Sequence, residues 1–222
     1  MGNQIANIID LYENSVIKHL IQVLDLSGIP IGTIIDAQIA IRIDKYKARK
    51  LKIFFDELND GKVTLTEDII DDNDFLHAYF TTVNYSLRAR SDQKIKRFAM
   101  ILKNLYKKDI DFDTFEDLIS IFNDLSDREF KILAIKLSFE EVLKNDDVLY
   151  QMENNMSYWN EFKELAMKET GLTPDELNPI LLRIQRTGCY LKLNNYLGDS
   201  TDETGVTTTL FKKIHSIVSS EV

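Results

Sequence analysis

Residues 91–137 read SDQKIKRFAMILKNLYKKDIDFDTFEDLISIFNDLSDREFKILAIKL and contain three amphipathic segments in succession, each with its own start signal. Ser91 can cap a helix whose Ile95, Phe98, Leu102, Leu105 and Tyr106 form one broad stripe at the helical period. Asp113, three residues before Glu116, resembles a capping box and opens a second helix through Phe115, Leu118, Ile119 and Phe122. Ser126 and Glu129 form a stronger box directly before Phe130, Ile132, Leu133 and Leu137. Short polar joints between such helices make them antiparallel or angled neighbours in one core.

Toward the N-terminus the pattern stays helical. Ile5, Ile8, Ile9, Tyr12, Val16, Leu20, Val23 and Leu24 mark a helix over about 3–26, and Ser27-Gly28-Ile29-Pro30 breaks it. A second helix over about 31–58 begins with IGTIIDAQIAIRI, apolar nearly all round. It continues with a basic half striped by Tyr46, Leu51, Phe54, Phe55 and Leu58. Large exposed apolar patches usually mark interfaces, so Ile31, Ile34, Ile35 and Ile39 are expected to mediate self-association. The uncharged tip LSGIPIGTII, residues 26–35, offers membrane contact as the alternative, but Asp25 and Asp36 bound a run too short to span a bilayer. Asp74 to Arg90 reads as a further helix. The acidic run from Glu67 to Asp74 lacks the glycine of a calcium loop, which leaves a solvated face and a helix cap.

Toward the C-terminus the order changes. A helix over about 157–169 contains Trp159, Phe162, Leu165 and Ala166, and Gly171 ends it. Thr173-Pro174-Asp175-Glu176 combines an N-cap, a proline at the first helical position and a capping-box glutamate. Residues 189–193 alternate as a strand, a polar loop follows, Val206-Thr207 can return as a second strand, and Thr208 starts a last helix. Helix, helix, turn, helix, two-stranded wing and closing helix is the winged helix-turn-helix order. GLTPDELNPILLRIQRTG (171–188) resembles its turn and third helix, and TGVTTTLFKKIHSIV (204–218) its wing exit. The fold expected is therefore mainly α: a multi-helix bundle over 1–125, then a winged-helix-like module with a small two-stranded wing over 126–222.

Charge limits what that module can do. The 222-residue chain carries a formal net charge of −9, so contact with nucleic acid needs a local basic patch. Arg183, Arg186 and Lys192 are the basic candidates, but the N-terminal turn that would meet DNA carries Asp175 and Glu176, and Pro179 is expected to interrupt the helix. Protein–protein contact is therefore the better expectation, with DNA a disfavoured alternative. The basic residues from Arg88 to Lys108 abut acids at 109–117, and mutual compensation outranks an anion-binding patch.

Catalytic and cofactor chemistry find little support. His19, His77 and His215 lie on separate helices without ligand spacing, and no glycine-rich phosphate loop follows a strand. The single cysteine, Cys189, has no partner marking it as a nucleophile and fits a reducing cytoplasm. No cofactor, metal or enzymatic activity is expected.

KIKRFAMILKN (94–104) and FEDLISIFNDLSDREFKIL (115–133), ahead of the winged-helix-like tail, resemble the abortive-infection-alpha (Abi-alpha) group of bacterial phage-resistance proteins. The isoleucine-rich hairpin of residues 16–43 has no counterpart in that pattern. The resemblance brings no catalytic residues. It implies a bacterial protein of phage-resistance type. Joined to the readings of Cys189, the isoleucine face and the tail's charge, the expectation is a cytoplasmic protein that acts by binding, with a second copy and another protein as partners. The rivals are a winged-helix transcriptional regulator and a membrane-active effector.

Overall fold

A computed structural model describes residues 34–60, 72–145, 152–193 and 204–219, with side chains described except at 34–41, 60, 143–145, 152–157 and 193. The described residues form eight helices and a small antiparallel sheet: α1 (Ile34–Asp60), α2 (Asn73–Arg88), α3 (Asp92–Tyr106), α4 (Phe112–Asp124), α5 (Asp127–Asn145), α6 (Met152–Thr170), α7 (Pro174–Gln185), β1 (Tyr190–Leu193), β2 (Thr204–Thr207) and α8 (Thr209–Ser219). The chain divides into two compact units, residues 1–99 and 100–222, and α3 contributes to both.

In the first unit α1 packs on α2. Leu51, Phe54 and Leu58 of the expected stripe are buried against Phe75, Ala78 and Val83. Asp72 caps α2, its carboxylate accepting from the N–H groups of Asp74 and Phe75. At the other end Lys50, only 2% exposed, donates to the carbonyls of Leu87 (2.7 Å) and Ala89 (2.5 Å). Those carbonyls have run out of intrahelical partners, and the negative end of the helix dipole lies there, so a cation suits the position. Tyr46 departs from the expected stripe: it is exposed, its ring one turn before Lys50 and 4.1 Å from that ammonium. Residues 42–46 are exposed all round the helix. Ser91 Oγ caps α3 by accepting from Lys94 N–H, as its sequence position predicts.

The second unit is built on aromatic contacts. Phe130 meets Phe122 edge-on at 5.7 Å and Phe211 at 5.5 Å, while Trp159, Phe162 and Phe139 tie α6 to α5. The α4 cap is Asp111 rather than Asp113: its carboxylate accepts from Thr114 N–H at 2.7 Å, and hydrogen bonding from the Thr114 side chain and then from this N–H holds its pKa below the usual carboxylate range. The earlier start lets Phe112, as part of the first turn, place its ring 6.1 Å from Phe115. The box at Ser126 and Glu129 forms as expected, Ser126 N–H donating to the carboxylate and Glu129 N–H to the hydroxyl.

Tyr190 pairs with Thr207 and Lys192 with Gly205 in the sheet. β2 begins at Thr204, earlier than the expected Val206, and Gly205 lies inside it. A Cβ at residue 205 would overlap the Tyr190 ring, so glycine is what lets that ring cross the strand. Glu140, buried in α5, anchors β2: its carboxylate accepts from Thr207 N–H at 2.7 Å and Thr207 Oγ1–H at 2.5 Å, and Lys212 Nζ stands 3.6 Å away. Gly171 and Gly188, both at positive φ, follow α6 and α7 where the sequence places helix stops.

Candidate functional site

Helix α7 carries the residues that any reading of the tail depends on. Thr173 N–H donates to the Glu176 carboxylate at 2.8 Å and the Thr173 hydroxyl reaches it at 3.0 Å, holding that carboxyl below its usual range. Leu177, Leu181 and Ile184 are buried, so the helix has one inward stripe. The helix runs unbroken through Pro179, contrary to the expected interruption. Pro179 is exposed, so the carbonyl one turn earlier, deprived of its N–H partner, can be hydrated.

The outward stripe is Asp175, Pro179, Leu182 and Arg186, all exposed, with Leu182 at 52%. The candidate nucleic-acid contacts do not form one basic patch. Arg183 Nε donates to Glu129 Oε1 at 2.5 Å, so this cation is paired with a carboxylate that is itself buried. Arg186 is exposed at the C-cap. Lys192 is half-buried and shares a hollow with Trp159, Gln185 and Tyr190. The self-association candidate Ile31 lies outside the described residues, as do the side chains of Ile34, Ile35 and Ile39 and most of residues 26–35.

Other clusters resolve into structure. Lys96 faces buried Glu57 at 3.7 Å and Arg49 pairs with Asp92, so two bridges of the first unit run between α1 and α3. A cleft of about 390 Å³ is lined by Lys103, Asn104, Lys107, Asp109 and Ser216. The C-terminal ends of α3 and α8 border it, where a helix dipole favours cations, and Asp109 lines it with the two lysines. His215 is half-buried and stacks on Phe130, His77 is exposed, and His19 lies outside the described residues. Burial pushes the Cys189 thiol up, away from nucleophilic character. Among the described residues no group of three or more His, Cys, Asp or Glu is placed to hold a metal.

Sequence reasoning missed the charged interior of α5. Lys136 is 7% exposed, its ammonium 5.2 Å from the Trp159 ring and 5.4 Å from Phe162, with Glu140 one turn further on. A signal was present: Ile132, Leu133, Ala134, Ile135 and Leu137 exceed one stripe, so neighbouring charges have to be enclosed. No helix among the described residues is long and apolar enough to cross a membrane. Comparison with protein-family models, with curated proteins and with solved structures returns no match.

Proposed function

We propose that this is a non-enzymatic bacterial interaction protein whose tail, from α5 onward, is a winged-helix-like module working by protein–protein contact. The order helix, helix, turn, helix, wing, helix supports the module. The observation that carries the protein-binding reading is the outward face of α7. Its first turn offers Asp175 and Glu176, its middle offers Leu182, and one of its two arginines is held by Glu129. Acids at the N-terminal turn repel phosphate where a recognition helix meets bases, and an exposed leucine suits an apolar partner.

The phage-resistance role rests on the resemblance of residues 94–133, and self-association through the isoleucine-rich start of α1 belongs to the same proposal. Fluorescence anisotropy with labelled duplexes at two salt concentrations tests the binding reading. The expected result is weak, sequence-independent and strongly salt-dependent association at most. A specific duplex bound orders of magnitude tighter than random DNA, and lost in Arg186→Ala, makes the chain a regulator instead. Plaque counts on a bacterial host expressing the chain test the defence role.

A further inference from the structure

The outward ridge of α7 reads acid, apolar, apolar, base: Asp175, Pro179, Leu182, Arg186. These positions recur at intervals of four, three and four residues, which places them along one line of an α-helix. The spacing is the same from either end. Turned end for end against itself, the ridge sets Asp175 opposite Arg186, Pro179 opposite Leu182, Leu182 opposite Pro179 and Arg186 opposite Asp175. The flanks follow the same rule, Asn178 meeting Arg183 and Glu176 meeting Gln185. We infer that the partner of this face is a second copy of the chain, bound through antiparallel α7–α7 packing about a two-fold axis. The inference rests on the protein-binding reading of the tail and names its partner.

Three observations favour a copy over an unrelated protein. A two-fold interface must be self-complementary in charge, and this ridge is so at both ends. The apolar pair sits at the centre of the ridge and the charges at its rim, the usual anatomy of an interface. Among the described residues, neither the Asp175 nor the Arg186 side chain makes a hydrogen bond or ion pair, and both are exposed on the outer side of the helix. One twelve-residue helix is about 18 Å long, which puts the contact in the small, concentration-dependent class. Such a dimer also covers the face that a recognition helix would turn toward DNA.

The test is sedimentation velocity on the full chain across a wide micromolar range. Wild type is expected to show a concentration-dependent dimer. Asp175→Arg sets arginine against arginine, and Arg186→Asp sets aspartate against aspartate. Each alone is expected to weaken dimerisation by about tenfold or more. An equal mixture of the two restores both attractions and is expected to regain the dimer as a heterodimer. So is the double variant carrying both reversals. Circular dichroism melts confirm that each variant is folded, and Leu182→Glu supplies an independent disruption at the centre. A wild type that stays monomeric overturns the proposal. So does an oligomer that neither reversal affects, or a mixture that fails to reassociate. Specific duplex binding sinks the underlying protein-binding reading, whereas loss of the charge-reversal pattern alone sinks only the second-copy assignment.

Discussion

Arg183 Nε donates to Glu129 Oε1 at 2.5 Å, joining the last turn of α7 to the first turn of α5. The same carboxylate accepts from Ser126 N–H and hydroxyl, so one buried side chain closes a helix cap and fixes a helix 54 residues away. Glu129→Ala is expected to destabilise by about 2 kcal/mol, through the lost cap and the lost charge-assisted bonds. Arg183→Ala is expected to cost about 1 kcal/mol or less, because the arginine is 61% exposed and solvent screens it. Urea melts of both and of the double variant should show a coupling near 0.5 kcal/mol or more; strict additivity means the contact is not populated.

Glu140 and Thr207 make the corresponding link between α5 and the sheet. Thr207→Val keeps the shape of the side chain and removes the hydroxyl that donates to Glu140. A buried carboxylate stripped of one donor should cost about 1–3 kcal/mol. Hydrogen exchange should rise first in β2, ahead of α5. Unchanged protection of the strand means that the backbone N–H of Thr207 suffices as the anchor.

Lys136 gives the chain an alkaline signature. Burial holds its ammonium below its ordinary 10.5, with Glu140 pulling part of the way back. Between the folded pKa and 10.5 the folded chain binds fewer protons than the unfolded chain, so stability rises with pH across that window. At neutral pH the buried charge opposes folding. Lys136→Met, which keeps the length and removes the charge, is expected to raise the melting temperature at pH 7. The gain should shrink as pH approaches 10.5. A gain independent of pH would mean that the methionine acts by packing alone.

Lys108 ends α3 at φ 60°, with its own N–H donating to Leu105 O and the Asp109 N–H reaching Asn104 O. A residue with a Cβ is strained there, and glycine commonly holds this helix-ending position. Lys108→Gly is expected to stabilise by about 0.5–1 kcal/mol despite the entropy glycine gains in the unfolded chain. Thermal melts read the shift, and a loss of stability would mean that the lysine side chain contributes a contact worth more than the strain.

Much of this fold could be read from short-range signals. The stop glycines at 171 and 188 and the caps at Ser91, Ser126 and Thr173 depend on residues within one turn, and all lie where the chain places them. Errors arose where two local choices were equivalent or where a distant partner decided. Asp111 and Asp113 are both plausible caps, and the packing of Phe112 selects the first. Pro179 reads as a break from sequence because its exposure, which makes the missing bond tolerable, is a tertiary property. The burial of Lys50, Lys136 and Glu140 depends on carbonyls, rings and a strand far along the chain, which no local pattern specifies. The α7 ridge was legible as residue types, but the capture of Arg183 by Glu129 was not.

Helix α1 is 27 residues long and its neighbour α2 is 16, about 40 Å against 24 Å. Residues 42–46 are exposed, while Leu51, Phe54 and Leu58 are buried and Lys50 is tied to the final carbonyls of α2. A single unbroken backbone helix therefore contains two thermodynamic regimes. In the isolated chain, amides around residue 44 are expected to open more readily, by fraying. Those around Leu51 open only when the α1–α2 pair comes apart. The junction between the regimes is Lys50, whose ammonium acts as a clasp. Whatever grips the early turns of α1 pulls on a segment that yields without disturbing the core behind it.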